Sequence, residues 1–148
     1  MKKKILVLLL LIPFFTACGN DRKLICYEEI NDGEYKQSLI MNYNKEKTKV
    51  DSSSIEIVID LKEMSLSDLG CTKENKEECF EELKAKYNSG CENMLENCNI
   101  ENQNENGFTF TATIKEDKME EYFGDISTTL PINQMRSKIE TKFGFTCE

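Results

Sequence analysis

The cysteines constrain the fold of this chain more than any other feature. Its 148 residues include seven. Cys18 closes an apolar leader, which leaves Cys26, Cys71, Cys79, Cys91, Cys98 and Cys147 for the body of the protein. An even set of cysteines in a small exported chain reads as a disulfide framework, here of three bridges. Six cysteines can pair in more than a dozen ways, and spacing alone does not choose among them. The best single pairing is Cys26 with Cys147, because each sits at an end of the fold in an extended-looking segment, Leu24-Ile25-Cys26-Tyr27 and Gly144-Phe145-Thr146-Cys147. The other four are then expected to pair among themselves. Zinc is a poor fit: a structural zinc site wants tight Cys-x2-Cys knuckles, and the intervals from Cys71 to Cys98 are seven, eleven and six residues. The absence of any Cys-x-x-Cys also gives thiol-disulfide exchange chemistry little support.

The export reading comes from the N-terminus. Lys2, Lys3 and Lys4 precede an apolar stretch from Ile5 to Phe15, and small residues follow before Cys18, the order of a secretory signal. A membrane span needs about 20 consecutive apolar residues, and this stretch is shorter and broken by Pro13. Phe15-Thr16-Ala17-Cys18 resembles the lipobox of bacterial lipoproteins, with Phe15 where Leu is usual. The resemblance implies cleavage just before Cys18 and a diacylglyceryl group on its thiol. Two acyl chains hold a protein stably at a bilayer, whereas one is marginal. Residues 1–17 are thus expected to be a signal peptide and 18–23 a lipidated cysteine with a short tether. Residues 19–23 reach about 20 Å at most when extended, so the domain is expected close to the extracytoplasmic face of the cell membrane.

Cleavage after Ala17 would leave 131 residues, enough for one domain with a modest core. Loss of Lys2, Lys3 and Lys4 takes the net charge from -8 to about -11. So acidic a body is repelled by an anionic membrane and lacks the basic footprint of a nucleic-acid binder, so nucleic acid is not expected as a partner.

Residues 24–148 read as one α+β domain. Leu24 to Glu29 and Tyr35 to Tyr43 are β-rich runs flanking Asn31-Asp32-Gly33, a hairpin signal, with Leu39, Met41 and Tyr43 sharing a face. Ile55, Ile57 and Ile59 alternate with polar or smaller residues as a third strand. From Thr72 to Tyr87 the period becomes helical, with Cys79, Phe80, Leu83 and Tyr87 on one stripe and Asn88-Ser89-Gly90 as the stop. Met94 to Ile100 and Phe108 to Lys115 follow as strands around the Asn106-Gly107 turn. A short helix is expected around Met119 to Phe123. A closing helix starts near Pro131, carries Ile132, Met135, Ile139 and Phe143 on one stripe, and ends at Gly144. These elements specify an antiparallel sheet of roughly five strands with two main amphipathic helices packed on one face, stapled by disulfides.

The lipobox, the opening Leu24-Ile25-Cys26 strand, the lysine- and serine-bearing hairpin region, the central helix, the aromatic-threonine strand and the closing Phe143-Gly144-Phe145-Thr146-Cys147 together resemble the YehR-like small lipoproteins and their relatives in Gram-positive bacteria. Cys71, Cys79, Cys91 and Cys98 depart from the simplest members. The resemblance implies a lipid-anchored extracytoplasmic domain and assigns no activity.

Chemistry-bearing motifs are sparse. The chain has no histidine, the commonest general base and the usual partner of a serine or cysteine nucleophile. Glu77-Glu78 and Glu81-Glu82 are paired carboxylates, but on the polar side of a helix they meet water rather than a cleft that would raise one pKa. Asn102 to Gly107 resembles half of an EF-hand calcium loop, yet it lacks a first-position carboxylate and has Thr113 where a bidentate Glu belongs. Phe108, Phe110, Tyr122, Phe123, Phe143 and Phe145 fall at core spacing, while Tyr35 and Tyr43 stand near strand ends. No catalytic residue, metal site or cofactor is expected. The favoured function is a non-enzymatic module that binds another envelope protein or an extracellular ligand. The alternative is a small accessory enzyme using thiol redox or carboxylate hydrolysis.

Overall fold

The computed structural model describes residues 22–30, 33–61, 67 and 69–148. The strands are β1 (Lys23–Ile30), β2 (Tyr35–Tyr43), β3 (Val50–Asp60), β4 (Leu95–Asn104), β5 (Gly107–Ile114) and β6 (Thr146–Cys147). The helices are α1 (Lys76–Ser89), α2 (Met119–Phe123) and α3 (Ile132–Phe143). The strands form one sheet in the order β4-β5-β3-β2-β1-β6, antiparallel throughout. There are thus six strands rather than about five. The sixth is the two-residue segment Thr146–Cys147, too short to show a period and created only by pairing with β1.

Register places the core. Directly paired residues share a face, so the row Cys26, Leu39, Ile55 and Ala112 defines one side of the sheet. Leu24, Met41, Ile57, Ile59, Phe108, Phe110 and Ile114 lie on the same side by alternation, and all are buried. Burying each such side chain contributes about 1.5–3 kcal/mol. Phe80 and Tyr87 of α1 meet this side through Phe108 and Phe110. Met119 Sδ of α2 lies 3.7 Å from Ser53 Oγ, which pairs opposite Ile114 on the same side. The Arg136 carbonyl of α3 is 3.9 Å from Cys147 Sγ, the sulfur bonded to Cys26.

β3 begins at Val50, soon after the Asn44 to Lys47 turn that the sequence marks: Ser52, Ser53 and Ser54 continue the ladder to β2, Asp51 falls at its register shift, and Ser53 is buried. One helix start and one core position differ from those the sequence suggests. α1 begins at Lys76 rather than Thr72: Asn75 Oδ1 accepts from the Thr72 amide at 2.6 Å and the Thr72 hydroxyl at 2.8 Å, folding residues 72–75 into a turn. Phe143, expected on the core stripe of α3, is 43% exposed; it occupies the last turn, where it packs on Phe145 instead. Gly144 then ends α3 in the left-handed region at φ 71.

Gly107 opens β5 for a steric reason. A Cβ there would lie 1.8 Å from the Ile59 carbonyl oxygen, so no other residue lets β5 start against β3 at this register. The β4 edge is interrupted by register shifts between Glu96 and Asn99 and between Glu101 and Asn104. Asn97 and Asn102, both at φ 52, provide them, since Asn tolerates the left-handed region better than most residues. Bulges and charged residues on an exposed edge oppose pairing with another chain.

Candidate functional site: a groove between α1 and the β4–β5 hairpin

Three bridges fix the fold, two of them beside the site. Cys26 is bonded to Cys147 across the β1–β6 pair, closing the chain ends over a separation of 121 residues. Reciprocal backbone hydrogen bonds between Ile25 and Glu148, at 3.0 and 2.9 Å, hold the same corner. Cys71–Cys79 ties the turn before α1 to its first helical turns, and Cys91–Cys98 ties the turn after α1 to the bulged start of β4. Both local bridges therefore grip α1 or its ends. Every cysteine among the described residues is bridged, which leaves none of them as a free nucleophile.

Between α1 and the β4–β5 hairpin lies a groove of about 620 Å³. Its floor is aromatic and its rim is charged. Phe80 and Phe108, which line it, meet edge to face at 6.1 Å. Lys76, Phe80 and Lys84 recur every four residues on one face of α1, so the two ammonium groups bracket the ring. Lys84 Nζ lies 5.9 Å from the Phe108 ring, donates to Gln103 Oε1 at 3.0 Å and pairs with Glu81. Its side chain is only 15% exposed. Lys76 Nζ lies 5.8 Å from the Phe80 ring and donates to Asn106 Oδ1 at 3.4 Å. Glu74, Glu77 and Glu105 complete the rim. This surface offers ammonium donors, amide groups and carboxylate acceptors around a buried apolar floor. It can hold a polar ligand by hydrogen bonding.

The sequence reading missed Lys76, Lys84 and Gln103. The signal for the first two was present in their four-residue spacing about Phe80. Gln103 becomes recognisable only when the β4–β5 hairpin folds it beside α1.

A second polar cluster lies on the same sheet-facing side of α1, at Tyr87. Tyr35 and Tyr87 interact through their side chains, and Tyr35 Oη donates to Gln37 Oε1 at 3.4 Å. Burial raises the pKa of both tyrosines. Tyr43 is different: it is 2% exposed, its hydroxyl is buried without a hydrogen-bond partner, and burial pushes its pKa up to about 12.

The remaining sequence candidates fall as follows. Cys18 and the leader lie outside the described residues, as does the Asn31-Asp32 pair of the first hairpin. Glu77, Glu78, Glu81 and Glu82 are exposed on α1. The calcium-like segment forms the β4–β5 hairpin end, where Asn104 Oδ1 accepts from the Asn106 amide at 2.7 Å, Asn102 Nδ2 donates to Thr109 Oγ1 at 3.4 Å and Asn106 Oδ1 accepts from Lys76. Those oxygens close a turn rather than converge on a point. Among the described residues no group of three or more potential ligands could hold a metal ion, and no helix is long and apolar enough to cross a membrane.

Fold and site together define a six-stranded antiparallel α+β domain stapled by three disulfides. No protein-family model matches the chain, and comparison with curated proteins and with solved structures likewise finds no match.

Proposed function

We propose that this protein is a lipid-anchored extracytoplasmic lipoprotein of the YehR-like kind, whose two-layer domain, with α1 and α3 on one face of the sheet, is a non-enzymatic binding module. The single observation that carries the reading is the bridging of all six cysteines beyond Cys18, a state that persists in oxidising compartments outside the cytoplasm. The leader and the Phe15-Thr16-Ala17-Cys18 motif supply the route and the anchor. The binding surface is the groove of Lys76, Lys84 and Gln103, and its ligand is a polar envelope or extracellular component.

Two measurements test this. Mass spectrometry of the protein from membranes should find an N-terminal peptide beginning at a diacylglycerylated Cys18, and Cys18→Ser should leave the protein unprocessed or released. A bare Cys18 in the processed protein refutes the anchor. For the groove, Lys84→Ala with Gln103→Ala should leave the fold intact by circular dichroism while abolishing retention of an envelope component that the unaltered protein retains. Equal retention by both refutes the groove as the binding surface.

A further inference from the structure

The negative charge of this protein is not spread evenly along its sheet. At the end of β1 where the tether joins, Arg22 accepts a 2.6 Å hydrogen bond from the Tyr43 amide through its carbonyl, which seats it against the end of β2. Lys23 pairs with Asn42 next to it. The β2–β3 turn begins there and carries Lys45, Lys47 and Lys49. Asn44 shapes it by accepting from the Thr48 amide at 2.9 Å and the Lys49 amide at 3.2 Å through one side-chain oxygen. Arg22, Lys23, Lys45 and Lys49 are exposed. Five basic residues thus meet at the pole from which residues 18–21 lead back to Cys18.

The carboxylates of the sheet lie chiefly at the opposite pole. Ile30, Tyr35, Ile59 and Phe108 form the register row there. Glu28, Glu29, Glu34, Asp60, Glu101 and Glu105 sit on or beside that row. Not all acids are distant from the basic turn. Glu46 is within it, Asp51 follows it, Glu148 pairs with Ile25, and Glu116, Asp117 and Glu120 line a hollow beside Lys49. The basic surface is therefore the β1–β2 side of the tether pole.

We infer that this side docks on the anionic headgroups of the bilayer that holds the Cys18 lipid, an inference that rests on the lipoprotein reading above. An eight-residue strand such as β1 separates the poles by roughly 25 Å at about 3.3 Å per residue. The Debye length is about 8 Å at physiological ionic strength, so the membrane is screened from the distal carboxylates and responds to the near pole rather than to net charge. The tether decides which pole that is: from Cys18 to Arg22 the chain spans at most about 14 Å. A basic segment next to a membrane anchor gains about 1 kcal/mol per Lys or Arg near an anionic surface. Docking in this way turns the acidic pole, and with it the Lys76 end of the α1 groove, away from the bilayer.

The test uses the lipidated full-length protein, reconstituted into vesicles of phosphatidylcholine alone or of equal parts phosphatidylcholine and phosphatidylglycerol. An amine-reactive ester labels the lysines, and Lys23 and Lys45 are read against Lys73, which lies at the distal groove. On anionic vesicles the ratio should fall about fivefold, the equivalent of about 1 kcal/mol of protection per lysine, and should recover in high salt. The same digest gives the mass of the Cys18 peptide. A bare Cys18 overturns the lipoprotein reading together with this inference, whereas an acylated Cys18 with the same ratio on both vesicles overturns the inference alone.

Discussion

Replacing the bridges one pair at a time by alanine separates the cost of closing the whole chain from that of clamping a turn. Cys26–Cys147 spans 121 residues, Cys71–Cys79 spans 8 and Cys91–Cys98 spans 7. In the chain-entropy treatment the first is worth about 5 kcal/mol and each of the others about 2.5 kcal/mol. With an unfolding entropy of about 2.1 cal/mol/K per residue, a domain of this size shifts its Tm by roughly 4 °C per kcal/mol. Cys26→Ala with Cys147→Ala should therefore lower the Tm by about 20 °C and each local pair by about 10 °C. Cavity effects widen the gap to Cys91–Cys98, both half-buried, more than to Cys71–Cys79, because Cys71 is 3% exposed while Cys26 is fully buried and Cys147 is 8% exposed. Thermal unfolding followed by circular dichroism reads all three, and urea midpoints check that the slope, and hence the surface exposed, is unchanged. Equal losses from the long and short pairs would refute the argument, since they would show the bridges acting only through local packing.

Three further outcomes follow from the buried polar groups and the strand start. Tyr43→Phe removes a hydroxyl buried without a partner and should raise stability by about 1–2 kcal/mol in urea unfolding; a loss of more than about 1 kcal/mol would reveal a missed hydrogen bond. Gly107→Ala drives a Cβ into the Ile59 carbonyl and should cost at least about 2 kcal/mol, so an unchanged urea midpoint would disprove the close approach. Burial raises the folded-state pKa of Tyr35, Tyr43, Tyr87 and Tyr122, that of Tyr43 to about 12. The unfolded chain therefore gives up these protons from about pH 10 while the folded chain keeps them, so this contribution to stability is intact below pH 10 and is lost as pH rises towards 12. Urea midpoints across that window should fall with pH and fall less in Tyr43→Phe; a flat profile would contradict the burial of these hydroxyls.

How much could be read in advance differs from element to element. Phe108 to Ile114 announces itself, because apolar and threonine positions alternate and the strand has one core side and one open to polar side chains. The α1 stripe is legible for the same reason, as Phe80 and Tyr87 recur at helical spacing and do meet the sheet. The start of β3 is less legible, since Asp51, Ser52, Ser53 and Ser54 carry no hydrophobic signal; β2 offers partners to the three serines, and β5 pairs with Ser53 and Ser54 as well. In the groove, the α1 lysines were present as a spacing, but their meaning depends on Gln103 and Phe108, which stand far away in the chain.

The sequence by itself determined which segments are extended or helical, that six cysteines are available to staple them, and that the body is acidic, because period, composition and charge are properties of neighbours along the chain. Tertiary structure alone decided that β5 lies between β3 and β4, that residues 146–147 form a strand, that Cys71 bonds Cys79 and Cys91 bonds Cys98, and that Arg22 and Lys23 meet the lysines of the β2–β3 turn. Each of these depends on which distant backbones pair, and pairing is settled by burying one common face of the whole sheet rather than by any local pattern.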